Sequence, residues 1–255
     1  MDDDRAPGAT NDRMDPIPLT ALIGLVAFAY AMVGHGGASG YLALMALAGT
    51  AIAVMRPTAL ILNLFVSAIA FAQYARAGHF RGRTFWPFAV LSVPMAWVGA
   101  QLVLDPAIYK RVLAFCLLFA VARLFGFFGR SADAQRSVPL FAALGIGAVL
   151  GLVSGMIGIG GGILLSPILM LCCWADAKTT AATSALFILV NSAAGIMGVL
   201  SSGEVLRSEM LPWILAAIGG GLLGSWIGAS RLPELRLRQA LGLVLLFASV
   251  KLMLP

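Results

Sequence analysis

The stretches 84–104 and 179–200 contain no charged residue, and 57–76, 109–128, 209–230 and 236–254 are also strongly apolar, with most of their charges toward the ends. A helix crossing the roughly 30 Å hydrocarbon core of a bilayer takes about 20 such residues. In lipid, only helices or closed barrels can satisfy every backbone amide and carbonyl. These runs are continuous and lack the alternation of barrel strands, so the sequence predicts an all-α integral membrane protein. Composition points the same way: 60% of residues are hydrophobic and 11% charged, against roughly 45–50% and 25% in soluble domains.

Two further stretches, 17–54 and 138–174, are each too long for one span at about 1.5 Å rise per residue. Both are interrupted by glycine: Gly34, Gly36, Gly37 and Gly40 in the first, and Gly155, Gly158 and Gly160 to Gly162 in the second. Glycine is a poor helix former and readily adopts positive φ, so each stretch is expected to break into half-helices or a re-entrant hairpin. A constant shift of 125 residues superposes the two halves. It pairs Gly36-Gly37 with Gly161-Gly162, Thr58 with Thr183, Ser67 with Ser192, Gly78 with Gly203, Pro87 with Pro212 and Gly99 with Gly224. These pairs predict an internal duplication: a tail over 1–16, a first helical repeat over 17–128, a loop over 129–137 and a second repeat over 138–255. Counting each broken stretch as one crossing gives eight spans; counting each as two gives ten segments and inverted repeats. With eight crossings, the basic clusters at 76–83 and 123–136 share a side with the N-terminus, and the positive-inside rule makes that side cytoplasmic.

The net charge of +6 does not read as a nucleic-acid footprint, because the basic residues fall in short clusters between apolar runs. Cys116, Cys172 and Cys173 lie in apolar surroundings without metal-binding spacing, and neither a metal nor a cofactor is expected. The expected partners are a small anion and the lipid bilayer, and a homodimer is left open. The acidic start MDDDRAPGATNDRMDP is unlike a secretory signal, which opens on a basic stretch.

The segment GLVSGMIGIGGGILLSPILM (151–170), followed by AATSALFILVNSAAG (181–195), resembles the TauE/SafE family of membrane proteins. The resemblance rests on Gly151, Gly155, Gly158, Gly160 to Gly162, Pro167, Thr183 and Ser184. It implies movement of sulfite or small organosulfur anions across the cytoplasmic membrane, often outward. In the first half the corresponding segment reads AYAMVGHGGASGYLALM, which sets His35 in the place of Gly160.

An anion buried in low dielectric needs compensation. Helix N-termini offer unpaired N–H groups and about half a positive charge, and glycine lets a ligand reach them. Gly36, Gly37, Gly160, Gly161 and Gly162 are therefore the leading candidates for substrate contact; close helix packing through small residues is the rival reading. His35 is a candidate hydrogen-bond donor or proton carrier. Thr58, Ser67, Thr183, Ser184, Asn191 and Ser192 are candidates to line a pathway, and Asn63 shares with Asn191 the high cost of exposing an amide to lipid. Asp105, Asp176, Glu204 and Glu234 all fall at the ends of spans, leaving a carboxylate relay without an obvious carrier. Arg56 and Lys178 read as interfacial anchors. The competing functions are a channel, a retinal-type receptor using Lys251, and an intramembrane serine enzyme pairing Ser154 or Ser166 with His35. The sequence favours a secondary transporter working by alternating access, not an enzyme.

Overall fold

The computed structural model describes residues 16–102, 104–125, 136–203 and 210–230, with isolated positions (246, 249, 250 and 253) near the C-terminus. Every regular element among them is a helix: α1 (Pro16–Ala31), α2 (Ala38–Leu47), α3 (Ile52–Arg76), α4 (Gly82–Gln101), α5 (Pro106–Leu124), α6 (Leu140–Ile157), α7 (Gly162–Leu171), α8 (Ala177–Ser201) and α9 (Leu211–Ser230). Four of these, α3, α6, α8 and α9, are long and apolar enough to cross a membrane. Large apolar side chains such as Phe115, Phe141, Val149 and Leu215 point outward, as they must where lipid is the solvent. The expected span 236–254 lies almost wholly outside the described residues, as does the expected tail 1–16, of which only Pro16, the first residue of α1, is described.

Helix directions follow from which residues meet. Along α4 and α6, Phe88, Ser92 and Ala96 offer their carbonyls to Gly147, Gly151 and Gly155, so these helices run parallel. Along α1 and α9 the same ladder joins Gly24, Phe28 and Met32 to Gly220, Gly224 and Gly228. At every rung the glycine lacks the Cβ that would strike a backbone oxygen, which lets the backbones approach closely. Helix α8 runs with α4, since Ser92 bonds Asn191 and Gly198 faces Trp97. It runs against α3, since Leu60 meets Gly195 and Val199 while Tyr74 meets Ala181 and Ala182.

Helices α6 and α8 therefore point the same way, both parallel to α4, and α7 between them runs back. Helices α1 and α3 also end together, where the Tyr74 hydroxyl donates to the Met32 carbonyl. Helix α2 folds back along α1, with Ser39 bonded to Tyr30 at 2.9 Å and Gly40 against Val26. Reading each broken stretch as a single crossing does not fit this pairing, because both breaks reverse the chain. One consequence is that the Arg76–Arg83 loop lies at the face where α1 ends, away from its start. Lys178 is at that same face, donating to the carbonyls of Gly228 and Ala229 at 2.6 and 3.1 Å. It caps the end of α9 instead of reaching outward, and Arg56, 8% exposed, is buried against Gly158.

The glycine register also differs from the uniform shift of 125. Left-handed residues recur at Gly34 and Gly158, Gly37 and Gly161, and Gly49 and Cys173, each pair 124 apart; Gly78 and Gly203 are 125 apart. One residue is gained between the half-helix and the long helix that follows. Through the break, Gly36-Gly37 therefore matches Gly160-Gly161, and His35 matches Ile159 in place of Gly160. Three consecutive glycines accept either register, which is why the sequence could not decide between them.

Candidate functional site

Helices α2 and α7 have 10 residues each, about 15 Å at 1.5 Å per residue, or half a bilayer. Each begins at a glycine in the left-handed region, Gly37 at φ 96° and Gly161 at φ 74°, a conformation that disfavours side chains. Both beginnings lie beside Asn63, near the middle of the 25-residue α3. The Ala38 amide donates to Asn63 Oδ1 at 3.0 Å. On the other side, a Cβ placed on Gly160 would stand 2.7 Å from Asn63 Nδ2, 2.8 Å from Ile188 Cγ2 and 3.1 Å from Ser192 Oγ. One placed on Gly36 would strike Asn63 Oδ1 and reach Ile188. The two half-helices thus start at one level and run to opposite faces, turning both positive ends toward the buried centre.

Most of the expected residues gather here. Gly36, Gly37, Gly160, Gly161 and Gly162 form the two breaks and are all buried. Ser192 Oγ and Thr183 Oγ1 are buried with no hydrogen-bond partner, as are Asn63 Nδ2 and Ser154 Oγ. The remaining candidates are engaged within the protein. Thr58 and Ser67 bond the carbonyls one turn back, of Val54 and Asn63. Asn191 donates to Phe187 O at 2.9 Å and accepts from Ser92 at 2.7 Å, which pins α8 to α4.

His35 and Ser184 meet through Ser166 on α7. His35 Nδ1 lies 2.9 Å from the Val33 carbonyl and Nε2 lies 2.8 Å from Ser166 Oγ. Ser166 also sits 2.8 Å from both Gly162 O and Ser184 Oγ. A carbonyl only accepts, so Nδ1 carries a proton. In the neutral ring Nε2 then accepts from Ser166. In the imidazolium it donates, and the Ser166 proton turns to the Gly162 carbonyl. The network accommodates either charge state without an orphaned group.

The sequence matches the family described as sulfite exporter TauE/SafE over residues 19–252. The chain belongs to this family. The curated "Probable membrane transporter protein y4hK" of Sinorhizobium fredii (strain NBRC 101917 / NGR234) is 38% identical over 247 residues, covering 94% of this chain and 98% of that protein. No solved structure matches. The chain is thus a multi-pass membrane transporter of the TauE/SafE family, and the broken helices are read as parts of a transporter.

Within that family setting, two carboxylates are accounted for as helix caps: Asp105 accepts from the Ala107 amide, and Asp176 from the amide and hydroxyl of Thr179. Glu204 and Glu234 fall outside the described residues, as does Lys251. Ser154, the first serine considered as a nucleophile, has no bond to His35; Ser166 has that bond, but it is 0% exposed and His35 3%. Sequence reasoning gave Asn63 less weight than Asn191; the structure sets Asn63 between the two breaks and bonds Asn191 to Ser92 of α4. The available signal was polarity: Asn63 is an amide in the middle of an uncharged run, with no polar residue at its counterpart, Ile188.

Proposed function

We propose that the chain is a permease for small anions of the sulfite and organosulfonate type, binding them where α2 and α7 begin and moving them across the cytoplasmic membrane by alternating access. The observation that carries this reading is the convergence of two half-helix N-termini on a buried centre containing unpaired donors. Secondary transporters commonly place substrate between structural repeats near the bilayer midplane, at helices broken in this way. The recurring left-handed positions and the opposed directions of α3 and α8 support an inverted duplication. Ser192 is 0% exposed and Gly160 is buried, which supports an occluded arrangement over a wet channel.

With the chain reversing at each break, the basic loop Arg76–Arg83 and Lys178 share one face, while Lys110 and Arg111 lie at the other. The positive-inside rule makes the first face cytoplasmic and puts the N-terminus outside, opposite to the orientation drawn from eight crossings. The His35–Ser166 pair is a hydrogen-bonded tie between a break and a half-helix; we assign it no catalytic step.

Flux into proteoliposomes tests the reading, using sulfite, thiosulfate, methanesulfonate and acetate as separate substrates. Saturable movement of one or more sulfur oxyanions is expected. No flux of any of them would overturn the proposal, and flux that never saturates would favour a channel.

A further inference from the structure

We infer that Asn63 is the side chain that holds the anion, and that the anion lodges on the α7 side of the centre, between Asn63 Nδ2, Ser192 Oγ and the first amides of α7. This rests on the permease reading above. It assigns the binding to one asparagine and one half-helix, instead of sharing it equally between two symmetric glycine breaks.

The Asn63 amide is oriented by chemistry. The Ala38 N–H can donate only to an oxygen, so the atom 3.0 Å away must be Oδ1, and Nδ2 is directed to the other break. Nδ2 is buried and unpaired, and so is Ser192 Oγ. Both converge on the point in front of Gly160. Buried polar groups nearly always find partners, and two unmade donors facing one helix beginning point to a ligand that supplies acceptors.

The two half-helices differ in what meets their first amides. On α2, Asn63 already accepts from Ala38. Shifting 63 by 125 gives 188, and Ile188 stands across from Asn63, touching Gly36 and Gly160 in turn. Isoleucine offers no acceptor, and among the described residues no side chain accepts from Gly162 or Ile163 at the start of α7. An oxyanion placed there receives backbone amides, a carboxamide and a hydroxyl, with the positive end of α7 behind them. On the α2 side Asn63 already takes the Ala38 amide in that role. As arranged, the space before Gly160 is smaller than a methyl group, so the anion enters when α3 and α8 separate.

The test is binding of sulfite and of methanesulfonate to the purified full chain, read by anion-dependent thermal stabilisation, alongside flux in proteoliposomes. Asn63→Asp keeps an acceptor for Ala38 but replaces the donor with a negative charge. Its melting temperature without anion should fall below wild type, since it buries a charge, and its anion binding and flux should be lost. Ser192→Ala removes a hydroxyl that has no partner, so the fold is retained, and anion affinity should fall about tenfold or more. Should Asn63→Asp fail to fold, Ser192→Ala decides alone. Wild-type binding with unchanged affinity in both folded variants, or in Ser192→Ala where it decides alone, overturns the Asn63 assignment and leaves the permease reading standing. Absence of binding and flux in wild type overturns the permease reading itself.

Discussion

Replacing Gly160 with alanine brings together two costs that a second glycine allows to be separated. Gly160 has φ 72°, and a Cβ there would meet Asn63 Nδ2 at 2.7 Å and Ile188 Cγ2 at 2.8 Å. Gly78 has φ 79°, and nothing lies within 4 Å of its Cβ position. Holding alanine in the left-handed region costs roughly 1–2 kcal/mol, and both variants bear that term. Only Gly160→Ala adds overpacking, typically about 1–3 kcal/mol. Unfolding in detergent should therefore show Gly78→Ala destabilised by about 1–2 kcal/mol and Gly160→Ala by about 2–5 kcal/mol. Transport should separate them further. The methyl group occupies the space where the anion would contact its donors, and losing charge-assisted hydrogen bonds of about 1.5–3 kcal/mol weakens binding by about 10- to 150-fold. Sulfite flux per folded molecule should be near wild type for Gly78→Ala and largely lost for Gly160→Ala. Equal flux in the two variants would refute the claim that this glycine borders the substrate.

The packing ladder makes a related prediction on α6. Gly151→Ala drives a Cβ into the Ser92 carbonyl, whereas Gly145→Ala meets nothing within 4 Å. The first should cost about 1–3 kcal/mol, and the second should be neutral or stabilising by up to about 1 kcal/mol, as read from unfolding curves. His35→Ala removes the side chain that ties Ser166 to the Val33 turn, and unfolding curves should show it destabilised by about 1–3 kcal/mol; an unchanged curve would remove that tie from the account. Orientation is tested with single cysteines in a background lacking the native ones. Ala77→Cys should react with an impermeant thiol reagent only from the cytoplasmic side and Lys110→Cys only from outside; the reverse pattern would turn the molecule over.

Much of the fold was legible because the bilayer demands it. Long apolar runs gave α3, α4, α5, α8 and α9 with ends within about five residues, and glycines at 34–37 and 158–162 marked both breaks. Direction through a break was not legible, since composition cannot tell a bent crossing from a hairpin. That information lies in tertiary pairs such as Ser92 with Asn191 and Tyr74 with Met32, far apart in sequence. The same holds for the site. Glycine clusters located the half-helix starts, but which polar side chains stay unpaired depends on rotamers and neighbours. Thr58 and Thr183 occupy matching positions, yet one bonds its own backbone while the other bonds nothing. Arg56 and Lys178 read as interfacial because cations at helix ends usually are; here helix C-termini and buried surroundings hold them.

Where the anion sits can be observed with a heavier analogue. Selenite has the shape of sulfite and an anomalous scatterer at its centre, so a structure of the transporter with selenite bound locates it without side-chain inference. The account predicts one anomalous peak at the start of α7, within hydrogen-bonding reach of Asn63 Nδ2 and Ser192 Oγ. A peak elsewhere, with this centre still packed shut while selenite is transported, would contradict it.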